Sequence, residues 1–356
     1  MRILSLLIVV TILLTTTAFA DGQIDIAYSP YTISKPGAYI VVTNLTTAQN
    51  LNCITIATSD VTIDLNGHTL YGAGTATGSS VYGIYGSAAQ NDITVTNGVV
   101  RDFRQSGVYF LGSNVDVSHV KSIQNRIFGI YMANNGVVKN NIAEGNLSDG
   151  IRGDTNCTIT GNSARSNGGN GIRSSFSGVI TGNSSYSNSG DGIFVSDGGC
   201  VVIGNSAMSN IGNGIYAYVG NTIKDNTVMF NTGDGIQVTA ENQVIGNTCD
   251  RNGYGAATAA GIHTTNADNK ITDNLLTLNK IGLLLEGFSN FYASNLSKGN
   301  TLSQYSTVGS QTDEGATDPA LTNFYAQPNF LVQQFAGFEI PVLHDSPNTV
   351  IRQVIW

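Results

Sequence analysis

Charged side chains are scarce in this sequence. They make up 11% of its 356 residues, and 16 lysines and arginines stand against 24 acidic residues, for a formal net charge of -8. A surface that binds nucleic acid needs a basic patch that neutralises phosphates. The composition therefore argues against nucleic acid as a partner.

Helical periodicity and long apolar runs are lacking as well. Apolar residues do not recur at helical spacing over ten or more positions. The apolar run from Ile3 to Leu14 follows Arg2 and precedes the small-residue site Ala18-Phe19-Ala20. This order is typical of a secretory signal peptide, so we expect residues 1–20 to be removed and the mature chain to be secreted, periplasmic or at the cell surface. We expect no membrane span in the mature chain.

What the sequence holds in abundance is one repeated phrase. Gly-Ile or a close variant starts at Gly129, Gly150, Gly171, Gly192, Gly214, Gly235, Gly261 and Gly282. One asparagine series keeps the same step at Asn141, Asn162, Asn183, Asn205, Asn226, Asn247, Asn274 and Asn295. A second series comprises Asn125, Asn146, Asn167, Asn188, Asn210, Asn231, Asn252, Asn279 and Asn300. Successive Gly-Ile phrases lie 21 or 22 residues apart, with one step of 26, which predicts a solenoid of stacked coils.

Alternation within one repeat predicts three short strands and three bends. In the coil that starts at Gly150, Ile151 should point inward and Arg152 outward, and Ile159 and Ala164 should be the inward residues of the next two strands. Three strands in about 21 residues are typical of a parallel β-helix, an all-β fold. The asparagines should hydrogen-bond to their equivalents in neighbouring coils, and the glycines should adopt backbone conformations at the bends that other residues avoid.

The register of the four cysteines argues against a disulfide framework. Cys157 and Cys200 hold equivalent positions two coils apart, roughly 10 Å at the spacing of stacked strands, which exceeds the reach of a disulfide. Cys249 takes the place of small inward residues in other coils. No cysteine and histidine spacing indicates a metal site, and no cofactor is implied.

The expected organisation is a single solenoid with covered ends. We assign residues 21–50 to an N-terminal cap, 51–300 to the β-helix and 301–356 to a C-terminal cap or tail, because an open sheet edge invites pairing with another chain. Residues 253–260 lengthen one coil by about five residues. This insertion either walls a binding site or is a tolerated loop, and the sequence leaves both interpretations open.

The position after each Gly-Ile varies in chemistry while it should stay outward, and we call this series the outward column. It runs from Tyr85 to Leu284, and a second outward row lies two residues further on. The candidate binding residues are Tyr109, Tyr131, Arg152, Asp154, Arg173, Phe194, Tyr216, Tyr218, Gln237 and His263. Exposed aromatic rings suit the apolar faces of sugars, and two arginines one coil apart favour an anionic polysaccharide. Alternatively, the column has only a structural role, because in-register aromatic rings stabilise a sheet and Asp154 could neutralise both arginines.

The Gly-Ile phrases, the paired asparagine series and the segment Val61-Thr62-Ile63-Asp64-Leu65-Asn66-Gly67-His68 together resemble a known family. The chain is similar to the right-handed parallel β-helix repeat proteins of the pectate-lyase-like superfamily. In composition and repeat pattern it most resembles the secreted, Asn/Gly-rich bacterial members, which include periplasmic proteins described as copper-maturation factors. The resemblance covers roughly residues 50–300 and implies right-handed coils of 21–22 residues.

Enzymes of this superfamily mostly cleave or epimerise polysaccharides, but their motifs do not carry over. Gly67-His68 is followed by Thr69 and Arg126-Ile127 by Phe128, unlike the polygalacturonase motifs, and His344-Asp345 lacks the Asp-Pro that precedes this pair in mannuronan epimerases. The histidines are scattered and do not support copper binding. The sequence therefore predicts a secreted glycan-contacting or structural surface protein.

A polysaccharide lyase or epimerase that acts on an acidic polysaccharide is the alternative. Such an enzyme needs a base, for which Asp154 and His263 are available. They lie five coils apart, roughly 25 Å, so they cannot serve one reaction centre. Asp154 between two arginines should also be a weak base. Whether the protein is an enzyme stays open.

Overall fold

The computed structural model describes residues 22–47, 50–74, 81–255 and 258–307. In these ranges every regular element is a β-strand, and neighbouring strands within each sheet run parallel. Each regular coil contributes three short strands separated by bends, as the alternation of its residues predicts. The protein is an all-β parallel solenoid, and the predicted fold class is confirmed.

The Gly-Ile phrases begin the strands of one sheet, which we call the Gly-Ile sheet. It has 13 strands in chain order. They are Tyr31–Ile33, Ile54–Ile56, Ile84–Gly86, Val108–Ser113, Ile130–Asn134, Ile151–Thr155, Ile172–Phe176, Ile193–Val195, Ile215–Ala217, Ile236–Val238, Ala260–Thr264, Ile281–Leu285 and Ser303–Thr307.

The other two strands of each coil form the second and third sheets. The second contains Ile24–Ile26, Gly37–Val41, Val61–Asp64, Val137–Lys139, Thr158–Thr160, Val179–Thr181, Val201–Ile203, Thr222–Lys224, Gln243–Ile245, Lys270–Thr272 and Phe291–Ala293. The third contains Leu45–Thr46, Thr69–Tyr71, Ile142–Glu144, Ser163–Arg165, Ser184–Tyr186, Ser206–Met208, Thr227–Met229, Thr248–Asp250, Leu275–Thr277 and Leu296–Lys298. Two long strands, Ile93–Arg101 and Val115–Ile123, run through both and join them into one sheet of 23 strands.

The core lies inside the coils, where the sequence places it. Ile151, Ile159 and Ala164 are all fully buried, and their equivalents in other coils stack above and below them. Burying such a column of apolar side chains is the main stabilising contribution, because it removes apolar surface from water.

The two predicted asparagine ladders are present and buried. In one of them the backbone N–H and the side-chain amide of Asn162 both donate to Oδ1 of Asn183, at 2.9 and 3.0 Å. The same side-chain amide also donates to the carbonyl oxygen of Val138 at 2.8 Å. Each buried side-chain amide thus forms hydrogen bonds to the next asparagine and to backbone groups at a bend. A buried polar group needs such partners.

A third asparagine ladder, which was not predicted, also runs along the axis. It links Asn221, Asn242, Asn269 and Asn290 through backbone N–H to Oδ1 bonds of 2.9 to 3.0 Å. Cys200 occupies the same position one coil earlier and donates its backbone N–H to Asn221. All four cysteines are free and buried, as the register predicts.

The glycines of the Gly-Ile phrases serve a different purpose from the predicted one. Gly150 does not have a positive φ angle; a Cβ there would lie 2.6 Å from Asn167 Nδ2 and 2.7 Å from the carbonyl oxygen of Gly171. Close approach of the neighbouring coil excludes a side chain. The expected left-handed conformation belongs instead to other bend residues such as Gly182, where φ is 63°.

The ends of the described chain continue the stacking. Tyr31–Ile33, Gly37–Val41 and Leu45–Thr46 pair with the three strands of the next coil, and Ile24–Ile26 lies outside Gly37–Val41. At the other end Ser303–Thr307 pairs with Ile281–Leu285. The predicted signal peptide and the C-terminal tail beyond residue 307 lie outside the described residues. In the part of the chain that the structure describes, no helix is long and apolar enough to cross a membrane.

Candidate functional site

The outward column lies in register on the Gly-Ile sheet. Tyr109 pairs with Tyr131, and Arg152 pairs with Arg173 one coil further on. The remaining members follow the same register, through Phe194 and Tyr216 to Gln237 and His263. Neighbouring members are therefore one strand spacing apart, about 4.8 Å. The structure aligns all of them in one column.

The prediction that the column faces solvent is wrong at two positions. Tyr131 is 8% exposed and Leu284 is 4% exposed. The Arg152 guanidinium lies 5.5 Å from the ring centroid of Tyr131, and the Tyr109 ring stacks on it at 4.5 Å. These neighbours cover the ring, although its Cβ points away from the core.

The aromatic end of the column is a stack of rings that cover each other's faces. Tyr85 and Tyr109 are nearly parallel, with centroids 6.2 Å apart and an interplanar angle of 9°. Tyr82 and Phe128 flank the stack, at 4.8 Å from Tyr109 and 5.6 Å from Tyr131. Offset stacking stabilises the sheet and leaves mainly ring edges to a ligand. This part of the column is better suited to stability than to sugar stacking.

Tyr82 and Phe128 were not among the predicted site residues. Both stand directly before a Gly-Ile phrase, the position that holds Asp149 and Asp234 in later coils. That position borders the outward column, so its aromatic members in the early coils were a signal that sequence reasoning could have used.

Arg152 is held in place by its neighbours. Its Nε donates to Oδ1 of Asp154 at 2.9 Å, and the hydroxyl of Tyr131 donates to Oδ2 of the same carboxylate at 2.6 Å. The guanidinium also lies 5.4 Å from the ring centroid of Phe128. Burial and the hydrogen bond to Asp154 raise the pKa of the Tyr131 hydroxyl, which keeps it protonated as a donor. Asp154 therefore neutralises Arg152 and fixes its orientation.

Arg173 differs from Arg152 although it is the same residue type one coil away. Among the described residues it forms no ion pair, and its buried Nε has no hydrogen-bond partner. Its guanidinium lies 5.0 Å from the ring centroid of Phe194, which supports the cation from one side. A guanidinium presents five N–H donors, so Arg173 has donors available to an acceptor outside the chain.

Asp149 supplies a second negative charge near the arginines. It is 5% exposed, and its Oδ1 accepts the backbone N–H of Asn170 at 2.8 Å. Burial raises the pKa of this carboxyl group, and the hydrogen bond from Asn170 and the charges of Arg173 and Arg152 offset that rise in part. The two guanidinium charges thus face the carboxyl groups of Asp149 and Asp154.

The position before Gly-Ile forms its own ladder from Asp149 onward. The Oδ1 atoms of Asn170, Asp191 and Asn213 each accept the backbone N–H of the residue one coil further on, at 2.7 to 2.9 Å. The alternating acids and amides are therefore bend residues. In the described ranges no group of three or more histidine, cysteine or acidic side chains is suited to hold a metal ion.

A second aromatic cluster follows Arg173 along the axis. Phe194 contacts Tyr216 and Tyr218 with near-perpendicular rings at 5.5 and 6.0 Å, and Tyr216 stacks on Tyr218 at 5.3 Å. Tyr218 is 41% exposed, more than any candidate in the stack that precedes Arg152. Gln237 accepts a hydrogen bond from Asn213 at 3.0 Å. Of these aromatic candidates, Tyr218 offers the most accessible ring.

His263 lies at the far end of the column, between two carboxylates. Its Nδ1 is 3.0 Å from Oδ2 of Asp234, and its Nε2 is 3.5 Å from Oε2 of Glu286, an ion-pair distance without a hydrogen bond. Burial alone would lower the pKa of His263, but Asp234 and Glu286 outweigh it and raise the pKa. Glu286 was missing from the predicted site. Four coils separate His263 from Arg173, roughly 19 Å, so the column does not bring them together.

The insertion at 253–260 borders a groove, but not one over the arginines. The groove, of about 310 Å³, is lined by Asn252, Gly253, Tyr254, Leu278, Asn279, Lys280 and Thr301. It lies in the last coils, where the insertion leads from the third sheet to the Gly-Ile sheet. The insertion is also tied to the Gly-Ile sheet, because the backbone N–H of Ala260 donates to Oδ1 of Asp234 at 2.5 Å.

Comparison with known proteins supports the fold. The family model described as "right handed beta helix region" matches residues 175–325. No match was found among the curated proteins.

Several solved structures share the fold. The mannuronan C-5 epimerase AlgE4 A-module of Azotobacter vinelandii is 13% identical with a TM-score of 0.59, over 82% of this chain and 90% of its own. The periplasmic alginate epimerase AlgG is 15% identical with a TM-score of 0.54, over 83% and 82%. The Dettilon tailspike protein is 16% identical with a TM-score of 0.56, over 80% and 61%. These likenesses show the fold: the chain is a right-handed parallel β-helix, as the resemblance of its sequence implied.

Proposed function

We propose that this protein binds an acidic polysaccharide on the Gly-Ile sheet, with Arg173 as the residue that holds an anionic group. The observation that carries this proposal is the difference between two register partners. Arg152 is paired with Asp154, whereas Arg173 forms no ion pair among the described residues. A carboxylate can accept two parallel N–H donors from one guanidinium, so Arg173 suits a uronate sugar.

The surroundings of Arg173 suit the rest of a sugar chain. Ser175 and Ser196 lie in the second outward row beside it, and their hydroxyls are 3.2 Å apart. Tyr218 follows in the same row with an accessible ring. Hydroxyl groups can exchange hydrogen bonds with sugar hydroxyls, and an aromatic face accepts an apolar sugar face. These residues extend the proposed surface along the solenoid axis.

The structural relatives support the choice of ligand class. By their names, two of them act on mannuronan or alginate, which are acidic polysaccharides. A shared fold hosts many functions, so this likeness selects probes rather than an activity. The predicted signal peptide would export the protein to a compartment where polysaccharides occur.

The proposal is tested by titrating the protein with alginate and polygalacturonate in a calorimeter, at low and at physiological salt. The substitution Arg173→Ala should weaken binding by about 30-fold, because hydrogen bonds to a charged group contribute about 2 kcal/mol. Arg165→Ala is the matched control, since Arg165 pairs with Glu144 at 2.6 Å on the third sheet. It removes the same charge and should leave affinity within about twofold. Absence of binding to any polyuronate, or equal losses in both variants, would refute the proposal.

A lyase or epimerase acting on the same polysaccharide is the second candidate function. The orientation of His263 by Asp234 is the observation that favours it, because such a pair fixes which ring nitrogen is free to exchange a proton. The distance of roughly 19 Å between His263 and Arg173 weighs against one reaction centre. Unsaturated sugar ends detected by ultraviolet absorbance, and lost in His263→Ala, would establish a lyase over simple binding; an intact polymer with a changed ratio of the two uronate epimers would establish an epimerase.

A further inference from the structure

We propose that Asp154 makes the surface selective for polyuronates, whose carboxylates are spaced along the chain, over densely charged polysulfates. This inference rests on the proposed function and concerns the same site. Its basis is the charge arrangement around the two arginines and not the mere presence of cationic side chains.

Asp154 connects three neighbours through both of its oxygens. Oδ1 accepts from Arg152 Nε at 2.9 Å and lies 3.4 Å from the Ser175 hydroxyl, and Oδ2 accepts from the Tyr131 hydroxyl at 2.6 Å. Side chains of Arg152 and Asp154 are only 26% and 24% exposed. The carboxylate is therefore constrained on several sides and cannot easily yield Arg152 to a ligand.

The local charges nearly cancel as a result. Asp154 offsets Arg152, and the buried carboxyl group of Asp149 interacts electrostatically with Arg152 and Arg173. The chain as a whole carries a net charge of -8. A dense polyanion would gain little from such a surface and would be repelled by the rest of the molecule. A single carboxylate can still use the free donors of Arg173.

Removal of the Asp154 charge should convert the site into one with two available cations. In Asp154→Asn the side chain keeps nearly the same shape: its amide oxygen can still accept from Arg152 and its NH2 group can donate to the Tyr131 hydroxyl, but it no longer neutralises Arg152. The two arginines lie on neighbouring strands, about 4.8 Å apart, and both of their charges are then available to a ligand. Neighbouring sulfates of a polysulfate match that arrangement, because each can contact one guanidinium.

The experiment measures the affinities of the wild-type protein and Asp154→Asn for polygalacturonate and for dextran sulfate over a range of salt concentrations. The ratio of dextran sulfate affinity to polygalacturonate affinity should rise by about tenfold in the variant. The salt dependence of dextran sulfate binding should steepen by about one ion released, because one more cation contacts the polymer. Asp116→Asn is the matched control, because Asp116 pairs with Lys139 at 2.6 Å on the second sheet; it should change neither quantity.

The outcomes separate this inference from the proposed function. If both proteins bind polygalacturonate and the ratio is unchanged, the role of Asp154 is refuted and the binding function stands. If the wild type binds neither polymer, both the selectivity inference and the proposed binding function are refuted. A wild-type series with rising charge density makes the same test without a variant: affinity should not increase from polygalacturonate to dextran sulfate, and a marked increase would overturn the inference.

Discussion

The interior asparagine ladders and the outward column both repeat once per coil, yet they obey different rules. The ladders keep one residue type over many coils, and every described member is buried with its amide bonded to a neighbouring coil. The column changes from tyrosine to arginine, phenylalanine, glutamine and histidine over the same coils. A buried amide in a ladder can form hydrogen bonds only with its neighbours in the ladder. An outward side chain can form them with water instead. The comparison predicts that substitutions in the buried ladders lower stability strongly and that substitutions in the outward column lower it little.

The largest effect should come from a ladder asparagine. Asn183→Ala removes the acceptor of two donors from Asn162 and two donor bonds of its own, to Ile159 and Asn205. Leaving several buried polar groups unpaired should lower the free energy of unfolding by about 4 kcal/mol. Urea denaturation followed by circular dichroism measures it. The exposed Asn156, whose amide bonds to Asn135, is the control, and Asn156→Ala should cost only about 1 kcal/mol, because φ there is 53° and alanine disfavours that conformation. Equal losses would contradict the distinction.

Substitutions at two glycines distinguish the effect of close packing from the effect of backbone conformation. Gly150→Ala places a Cβ against Asn167 and the backbone of Gly171, and it should cost about 3 kcal/mol through overpacking. At Gly182 a Cβ meets no atom within 4 Å, but φ is 63°. Asparagine tolerates that conformation, and Asn140 adopts it two coils earlier, so Gly182→Asn should cost less than about 1 kcal/mol. Thermal unfolding of both variants decides the matter; if Gly182→Asn is the more damaging, the packing explanation is wrong.

His263 should give a smaller and pH-dependent contribution. Because its pKa is raised in the folded protein, its ion pairs with Asp234 and Glu286 stabilise fully below the ordinary histidine pKa, and that stability is lost as pH rises through the folded pKa. The difference in unfolding free energy between wild type and His263→Gln should therefore be greater at pH 5 than at pH 9, by about 1 kcal/mol. Denaturation at the two pH values measures it, and a difference that grows with pH would contradict the assigned direction.

A similarly small effect should come from Tyr131, in the same column. Tyr131→Phe removes the hydrogen bond to Asp154 and should cost about 1 kcal/mol, while the ring stack with Tyr109 stays intact. The pKa of the Tyr131 hydroxyl is raised by burial and by Asp154, so the variant should also lose a tyrosine that ionises above the ordinary range in an ultraviolet titration of the folded protein. A titration curve unchanged at its alkaline end would show that Tyr131 is not held as described.

Much of the fold was predictable because a solenoid is nearly one-dimensional. A period of 21 residues places Ile151 beneath Ile172, and alternation assigns their neighbours to the outside. The ladder through Asn221 was missed because cysteine and glycine interrupt it at Cys157, Gly178 and Cys200. The role of glycines such as Gly150 was misjudged because residue type alone does not distinguish an unusual φ angle from a close contact.

The candidate site was predictable as a set of residues but not as an arrangement. Alignment in register placed Arg152 and Arg173 side by side, and the sequence allowed Asp154 to neutralise both. Side-chain packing decided that Asp154 pairs with Arg152, and it turned the tyrosine faces toward each other. Repeat length, inward residues, ladders and alignment follow from the sequence because each is fixed by position within a coil. Which arginine is free, which rings are covered and where the groove opens were decided by the tertiary structure, because they depend on contacts between side chains of neighbouring coils.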